Sequence, residues 1–243
     1  MIGCVVLTGN QGDIGIEIEK ILVSSGYLVI GIDNKIKTKS KTQIFHDLST
    51  LNEEKSYINL KKKIFTIIGD KPCVGLINNA AIQILGDIET LKLSEFEKTI
   101  TVNLTAPLAL SKILFRLLEQ ENGNIINIGS IHANLTKPSF ISYATSKSAL
   151  KGLTKSMAVD FGSKVRVNMI SPAAIDTNML REGFEDNLNN LNDLKNFHPT
   201  ESIGNPSEIA KLILSIFTNN LSFLNGACIE FDGGISSRLH DPK

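Results

Sequence analysis

Cysteine is scarce in this 243-residue chain: Cys4, Cys73 and Cys228 are far apart and odd in number. They offer neither a disulfide framework nor the paired spacing of a zinc site. His46, His132, His198 and His240 are scattered as well, so no metal is expected, and reduced thiols suit the cytoplasm. An excess of one charge is also lacking. Lys+Arg and Asp+Glu both total 25, and the pI is about 6.9. No global field therefore points to nucleic acid or to an anionic membrane. No run approaches the ~20 apolar residues of a membrane span. The apolar start at 2–7 is too short for a signal segment and lacks a basic flank. Repeats, low-complexity tracts and linkers are missing too, so residues 1–243 read as one domain.

What is present is ordinary globular material, 42% hydrophobic and 21% charged, in a regular rhythm. Short apolar runs at 2–7, 27–32, 74–77, 125–128, 165–170 and 227–231 read as buried strands. Between them, helical periodicity covers a stretch carrying Ile14, Ile18, Ile21 and Leu22, then 51–68, 94–102, 106–119, 142–161 and 206–217. Alternating strand and helix predicts an α/β fold, a doubly wound parallel sheet with helices on both faces. Residues 177–204 break the rhythm with an Asn-, Leu- and acid-rich stretch that has no strand signal. A connection this long predicts a lid or binding loop.

The first strand runs into Thr8-Gly9-Asn10-Gln11-Gly12-Asp13-Ile14-Gly15 and then a helix. A glycine-rich turn in that context lets backbone N–H groups approach a pyrophosphate at the positive end of the helix. A plain tight turn would use the same glycines. Asp33 ends the second strand, near the spacing expected of the carboxylate that holds the adenosine ribose. Such a carboxylate repels a 2′-phosphate and favours NAD. Lys35, Lys37 and Lys39 leave NADP open.

Tyr143 and Lys147 are four residues apart and share a helix face. At ~4 Å and an effective dielectric of ~20, an ammonium favours phenolate by ~4 kcal/mol, or roughly three pKa units. That would bring the phenol towards neutral pH, where a proton-transfer group works best. A solvated surface pair is the plain alternative.

Taken in order, the glycine loop, Asp33, Asp47-Leu48, Asn78-Asn79-Ala80, Asn103, Ser130, Tyr143 with Lys147, Pro172 with Thr177, and Phe231-Asp232-Gly233-Gly234 resemble the short-chain dehydrogenase/reductase family. The match is to its compact type of about 250 residues, such as the 3-oxoacyl-carrier-protein reductases. The resemblance implies a Rossmann-type sheet and an NAD(P)-dependent interconversion of a secondary alcohol and a ketone. Tyr143 would be the acid/base, Lys147 would lower its pKa and hold the nicotinamide ribose, and Ser130 would hold the substrate oxygen. Asn103 would anchor a water for a proton relay, although a helix N-cap remains open for it. Gly9, Gln11, Gly12, Asp13, Ile14, Gly15, Asp33, Asp47, Leu48, Asn79, Ala80, Pro172, Ile175 and Thr177 would line the cofactor. Commonly such proteins are tetramers or dimers.

Asp13 departs from the family pattern, which has Gly there, and Ala81 and Ala173 stand where Gly is common. A carboxylate beside a pyrophosphate is unfavourable, so Asp13 is expected to point away from the phosphates and cap its own helix. It is also the feature that most favours a non-catalytic NAD sensor over an enzyme. An epimerase or lyase using NAD transiently is a further alternative. The substrate is expected to be a small carbonyl or alcohol, met by Ser130, His132, Tyr143, Met179 and Phe184. His132 could equally have no role.

Overall fold

The computed structural model describes residues 2–35, 40–182, 188–219 and 221–239. Among them, seven strands form one sheet: β1 (Cys4–Thr8), β2 (Leu28–Asp33), β3 (Gln43–Phe45), β4 (Cys73–Asn78), β5 (Asn124–Ile128), β6 (Arg166–Pro172) and β7 (Cys228–Phe231). Their order is β3-β2-β1-β4-β5-β6-β7, and every neighbouring pair is parallel. Every residue of β1 and β5 is buried, as expected of strands covered on both faces.

Successive residues of β1 feed opposite cores. Val5 and Leu7 join Ile18 and Leu22 of α1 (Asp13–Ser24) with Ile209 and Ile213 of α8 (Pro206–Thr218). Cys4 and Val6 join α2 (Glu54–Ile68), α4 (Ala106–Gln120) and α5 (Ile141–Phe161), through residues such as Leu60, Leu110, Leu114 and Met157. The chain steps outward from β1 to β3, then returns to β4 on the other side of β1. This reversal opens a crevice at the C-terminal strand ends between β1 and β4, where doubly wound sheets take their ligands.

Several expectations need adjusting. β3 is a three-residue edge strand, too short to announce itself by alternation. The helix expected from 51 begins at Glu54, after a 3-10 turn at Leu48–Thr50. Among its described residues the 177–204 stretch lacks a strand, as expected, but it is not a bare loop: it holds α6 (Asn178–Glu182) and α7 (Leu188–Phe197).

The two helices expected at 94–102 and 106–119 are one rod, Leu93–Gln120. Within it α3 (Leu93–Ile100) passes into α4 through a π-helical turn, Thr101–Thr105. This 28-residue rod holds an 18-residue window of mean hydropathy 1.3, long and apolar enough to cross a membrane by length and composition. The expectation concerned an unbroken apolar run, and Glu95, Glu97, Lys98, Lys112 and Arg116 interrupt this one. Half of its apolar window is buried because α4 packs on the sheet, as the core helix of a globular fold does.

Candidate active site

The crevice begins with a seam between β1 and β4. Thr8 Oγ1 accepts from the backbone N–H groups of Asn79 and Ala80, both at 3.0 Å. The Asn79 amide donates back to the carbonyls of Thr8 at 3.1 Å and Gly9 at 3.0 Å. These bonds fix where the glycine loop leaves the sheet. Gly9 has φ +67°, and a Cβ there would lie 2.9 Å from Ala80 Cα. A Cβ on Gly15 would lie 2.1 Å from the Gly9 carbonyl oxygen. Packing alone therefore requires both glycines.

Gly12 differs. Its nearest neighbour for an added Cβ is the Gly9 oxygen at 3.5 Å, an ordinary contact. It is exposed and serves as N-cap of α1 without any side-chain cap. The first-turn N–H groups of α1 lack intrahelical partners, and its positive dipole end faces the crevice. Space kept bare beside such donors fits a dinucleotide pyrophosphate.

Of the other expected residues, Asp33, Asn79 and Ala80 touch this loop directly. Asp33 receives the Gln11 N–H at 3.1 Å on one oxygen and the Lys35 N–H at 2.9 Å on the other. Beneath lies an amide network unforeseen from sequence. Asn10 donates to Gln43 at 2.7 Å and Glu19 at 2.8 Å, and Gln11 donates to Gln43 at 3.2 Å. Gln43 belongs to the unrecognised edge strand, so no local signal marked it. Asp47 is exposed and caps its 3-10 turn through Ser49 N–H at 2.9 Å, while Leu48 beside it is buried. Ile14 is half-buried in the first turn of α1. Pro172 ends β6, and buried Ile175 pairs with Gly204. Thr177 Oγ1 donates to the Ile175 carbonyl and accepts from Leu180 N–H, both at 3.2 Å. Lys37, Lys39 and Phe184 lie outside the described residues.

Asp13 does point away from the phosphate loop, but it does not cap its own helix. Its Oδ2 accepts from the Asn178 backbone N–H at 2.6 Å and its Oδ1 from the Asn178 side-chain amide at 3.1 Å. The N-cap position of α1 belongs to Gly12, and residue 13, one place on, turns its carboxylate outward to α6.

The residues expected to transfer protons converge at the end of β5. Ser130 caps the turn Ile131–Ala133, accepting the His132 N–H at 3.2 Å, and its hydroxyl lies near enough to the Tyr143 phenol to influence its pKa. Tyr143 and Lys147 are both buried, on one face of α5. Lys147 Nζ donates to the Ile128 carbonyl at 2.8 Å and lies 5.6 Å from the Tyr143 ring centre. The expected depression of the phenol pKa is not found. Burial pushes Tyr143 above its usual value, with the Ser130 hydroxyl pulling the other way. Burial also brings Lys147 down to about 8. Desolvation penalises both charges, and the ammonium is spent on a backbone carbonyl rather than on the phenol.

Asn103 sits inside the Leu93–Gln120 rod, within the π turn, so it is not a helix N-cap. Its Oδ1 accepts from Ile82 N–H at 2.9 Å, and its amide donates to the Ile82 carbonyl at 2.9 Å and to Ser146 Oγ at 3.0 Å. Both amide hydrogens are taken, so this side chain braces α5 one residue before Lys147. Ser146, unforeseen from sequence, passes the brace to the Tyr143 carbonyl at 2.7 Å. His132 stacks on Phe140 at 4.4 Å and meets Tyr143 edge-on at 5.8 Å. Burial first, then Lys137, lowers its pKa to about 4, so it is neutral at pH 7. Met179 is 46% exposed on α6.

In sequence and fold the chain is similar to known proteins. The family model described as enoyl-(acyl carrier protein) reductase matches residues 61–236. The 3-oxoacyl-[acyl-carrier-protein] reductase FabG of Buchnera aphidicola is 30% identical over 240 residues, 94% of this chain and 95% of that protein. Among solved structures, the aldohexose dehydrogenase of Thermoplasma acidophilum in ligand-free form superposes with a TM-score of 0.91. It is 29% identical and covers 99% of this chain and 96% of its own. A 4-hydroxyisoleucine dehydrogenase complexed with NADH gives a TM-score of 0.87 at 29% identity, covering 98% of this chain and 100% of its own.

Two outcomes follow from the site. Gly12→Ala should leave the melting temperature within about 4 °C, a cap change of a few tenths of a kcal/mol to about 1. It should weaken NADH binding, read by fluorescence titration, by about tenfold. Gly15→Ala, which forces a backbone shift, should cost ~2 kcal/mol or more in urea. Undiminished NADH affinity in folded Gly12→Ala would remove the cradle reading. The second outcome concerns pH. With Lys147 at about 8 folded against its ordinary 10.5, the unfolded chain binds more protons between those values. The Lys147 term therefore becomes more favourable as pH rises through that window. Wild-type stability relative to Lys147→Met should climb from pH 8 towards 10, and a flat difference would mean that the ammonium is solvated.

Proposed function

The chain belongs to the short-chain dehydrogenase/reductase family, and from that premise we propose that it interconverts a small secondary alcohol and its ketone, with Tyr143 as acid/base. The observation that carries this reading is the meeting of the Ser130 hydroxyl with the buried Tyr143 phenol, beside Lys147, in the crevice that the glycine loop also enters. A nicotinamide cofactor, NAD(P), held by the glycine loop and Asp33, would supply or accept the hydride when bound. Ser130 and Tyr143 present two hydroxyls to the substrate oxygen, an arrangement suited to stabilising developing charge. In the reducing direction Tyr143 gives its proton to that oxygen, and a raised pKa keeps the phenol protonated beforehand. In the oxidising direction the phenolate must be generated, and the Lys147 charge then favours it. Neutral His132 and Phe140 form an aromatic wall beside the reacting oxygen, which suits a polar or amphipathic molecule of modest size. Ser146 and Asn103 hold the helix that carries Tyr143.

We further read the cofactor preference as NAD. The Asp33 carboxylate, held by Gln11 and Lys35 N–H groups, occupies the end of β2 where a 2′-phosphate would meet like charge. A non-catalytic NAD sensor drew its support from Asp13, whose carboxylate is engaged with Asn178 and not with the loop. The free cysteines among the described residues accord with a cytoplasmic setting.

Tyr143→Phe should abolish turnover, by about 10²-fold or more, on any ketone or alcohol in a substrate panel that the wild type accepts. NADH affinity should stay within about threefold, and full activity in this variant would sink the proposal. NADH should bind about tenfold more tightly than NADPH, roughly 1.4 kcal/mol, and Asp33→Ser should narrow that ratio. Equal affinities in the wild type would reassign Asp33.

A further inference from the structure

We propose that Asp13 is a positioning residue that latches the first helix of the lid, α6, onto the glycine loop. Resting on the reading above, the latch joins the segment that takes the cofactor phosphates to the segment that covers the site.

The contact is specific and long-range. One carboxylate oxygen takes the Asn178 backbone N–H at 2.6 Å and the other takes its side-chain amide at 3.1 Å, across 165 residues of sequence. Asn178 opens α6, so its N–H has no partner within that helix. A neutral side chain could satisfy such a donor, but a carboxylate accepts both of the residue's N–H groups in charge-assisted bonds.

The other side of the same turn is already fixed. Asp176 pairs with Arg181 through Nε at 3.0 Å and Nη2 at 2.8 Å. The Asp176 N–H reaches the Gly204 carbonyl at 2.9 Å, and the Gly204 N–H reaches the Ala174 carbonyl at 2.9 Å. The entry to the lid is thus tied to its exit. It is not packed against α1: a cleft of about 580 Å³, lined in part by Asp13, Lys20, Asn178 and Arg181, lies between them. Asp13 spans that gap from a loop whose other end is pinned by Thr8 and Asn79.

The placement also explains why a carboxylate is compatible with a phosphate loop. Its charge is directed at lid donors on the outer side of α1, and the first-turn N–H groups remain free for an anion. Glycine at position 13 would leave the loop intact and the lid without this tether.

Amide hydrogen exchange on the cofactor-free protein tests the latch. In Asp13→Ala, exchange at Asn178 should accelerate about tenfold or more, while sheet amides such as Leu7 and Ile126 keep their protection. NADH, used as a probe, should bind within about tenfold of wild type. Unchanged exchange at Asn178 in the folded variant overturns the latch. So does a tightening of NADH by about tenfold or more, which would place the carboxylate's effect on the phosphates. If Asp13→Ala does not fold, Asn178→Ala removes the side-chain half of the contact. Exchange at 178 should then rise about two- to threefold, and no change overturns the proposal. Accelerated exchange in a chain that binds no NADH supports the latch and overturns the cofactor reading instead.

Discussion

The seam between β1 and β4 is the constraint on which the site depends. The Thr8 hydroxyl accepts two backbone N–H groups from β4, and the Asn79 amide returns two bonds to the end of β1. This is the point where strand order reverses and where no helix can cover the strand ends. Without those bonds the polar groups at the two strand ends would be left unpaired, at ~1–3 kcal/mol for each buried donor. With them, the loop begins from a fixed origin. Gly9 can then pass within van der Waals distance of Ala80, Gly15 can tuck against Gly9, and the first turn of α1 is aimed at the crevice. Asp33 and Gln11 share a hydrogen bond only because the loop starts where the seam puts it.

A second tier of bonds transmits the same order to the proton-transfer end. Asn103 is held by Ile82, just beyond β4, and in turn grips Ser146. Ser146 bonds the Tyr143 carbonyl, and Lys147 reaches back to Ile128 on β5. The Ser130 and Tyr143 hydroxyls are thus referenced to β4, one strand of the seam, and to its neighbour β5. The π turn at Thr101–Thr105 matters here: it adjusts the rotation of a long core helix so that one polar side chain, Asn103, faces α5 while Leu110 and Leu114 face the sheet.

Much of this was legible in the sequence, and what was not has a physical reason. The strands of the core announced themselves because a strand buried on both faces must be apolar throughout. Tyr143, Lys147 and Ser130 stood out because the proposed chemistry requires those residue types at fixed separations, and the structure places them beside one another. The three-residue β3 was not readable, since so short an edge strand has no period, and with it went Gln43 and the amide network under the loop. The break between 102 and 106 looked like a helix boundary because Thr101, Asn103 and Thr105 are poor interior helix formers, yet tertiary bonding of Asn103 carries the helix through them. Asp13 was read correctly in direction and wrongly in partner. Proximity in sequence suggested its own helix, whereas the acceptor-poor start of α6, 165 residues away, was invisible to any local rule.

The electrostatics of Tyr143 and Lys147 show most clearly where local reasoning stops. Spacing on a helix establishes that two side chains share a face, and a Coulomb estimate then predicts a lowered phenol pKa. Sharing a face does not fix the distance between charge and hydroxyl, nor the medium around them. Here the ammonium turns to the Ile128 carbonyl, and both groups are withdrawn from water. The dominant effect becomes the cost of either charge, which moves the phenol up and the ammonium down. The resting pair is a protonated phenol beside an amine nearer to losing its proton, a state prepared to donate rather than to accept. Only an event that adds positive charge or redirects Nζ towards the phenol would convert it into a base. Under the proposed function, the direction of catalysis would be set less by the pair than by what else occupies the crevice with it.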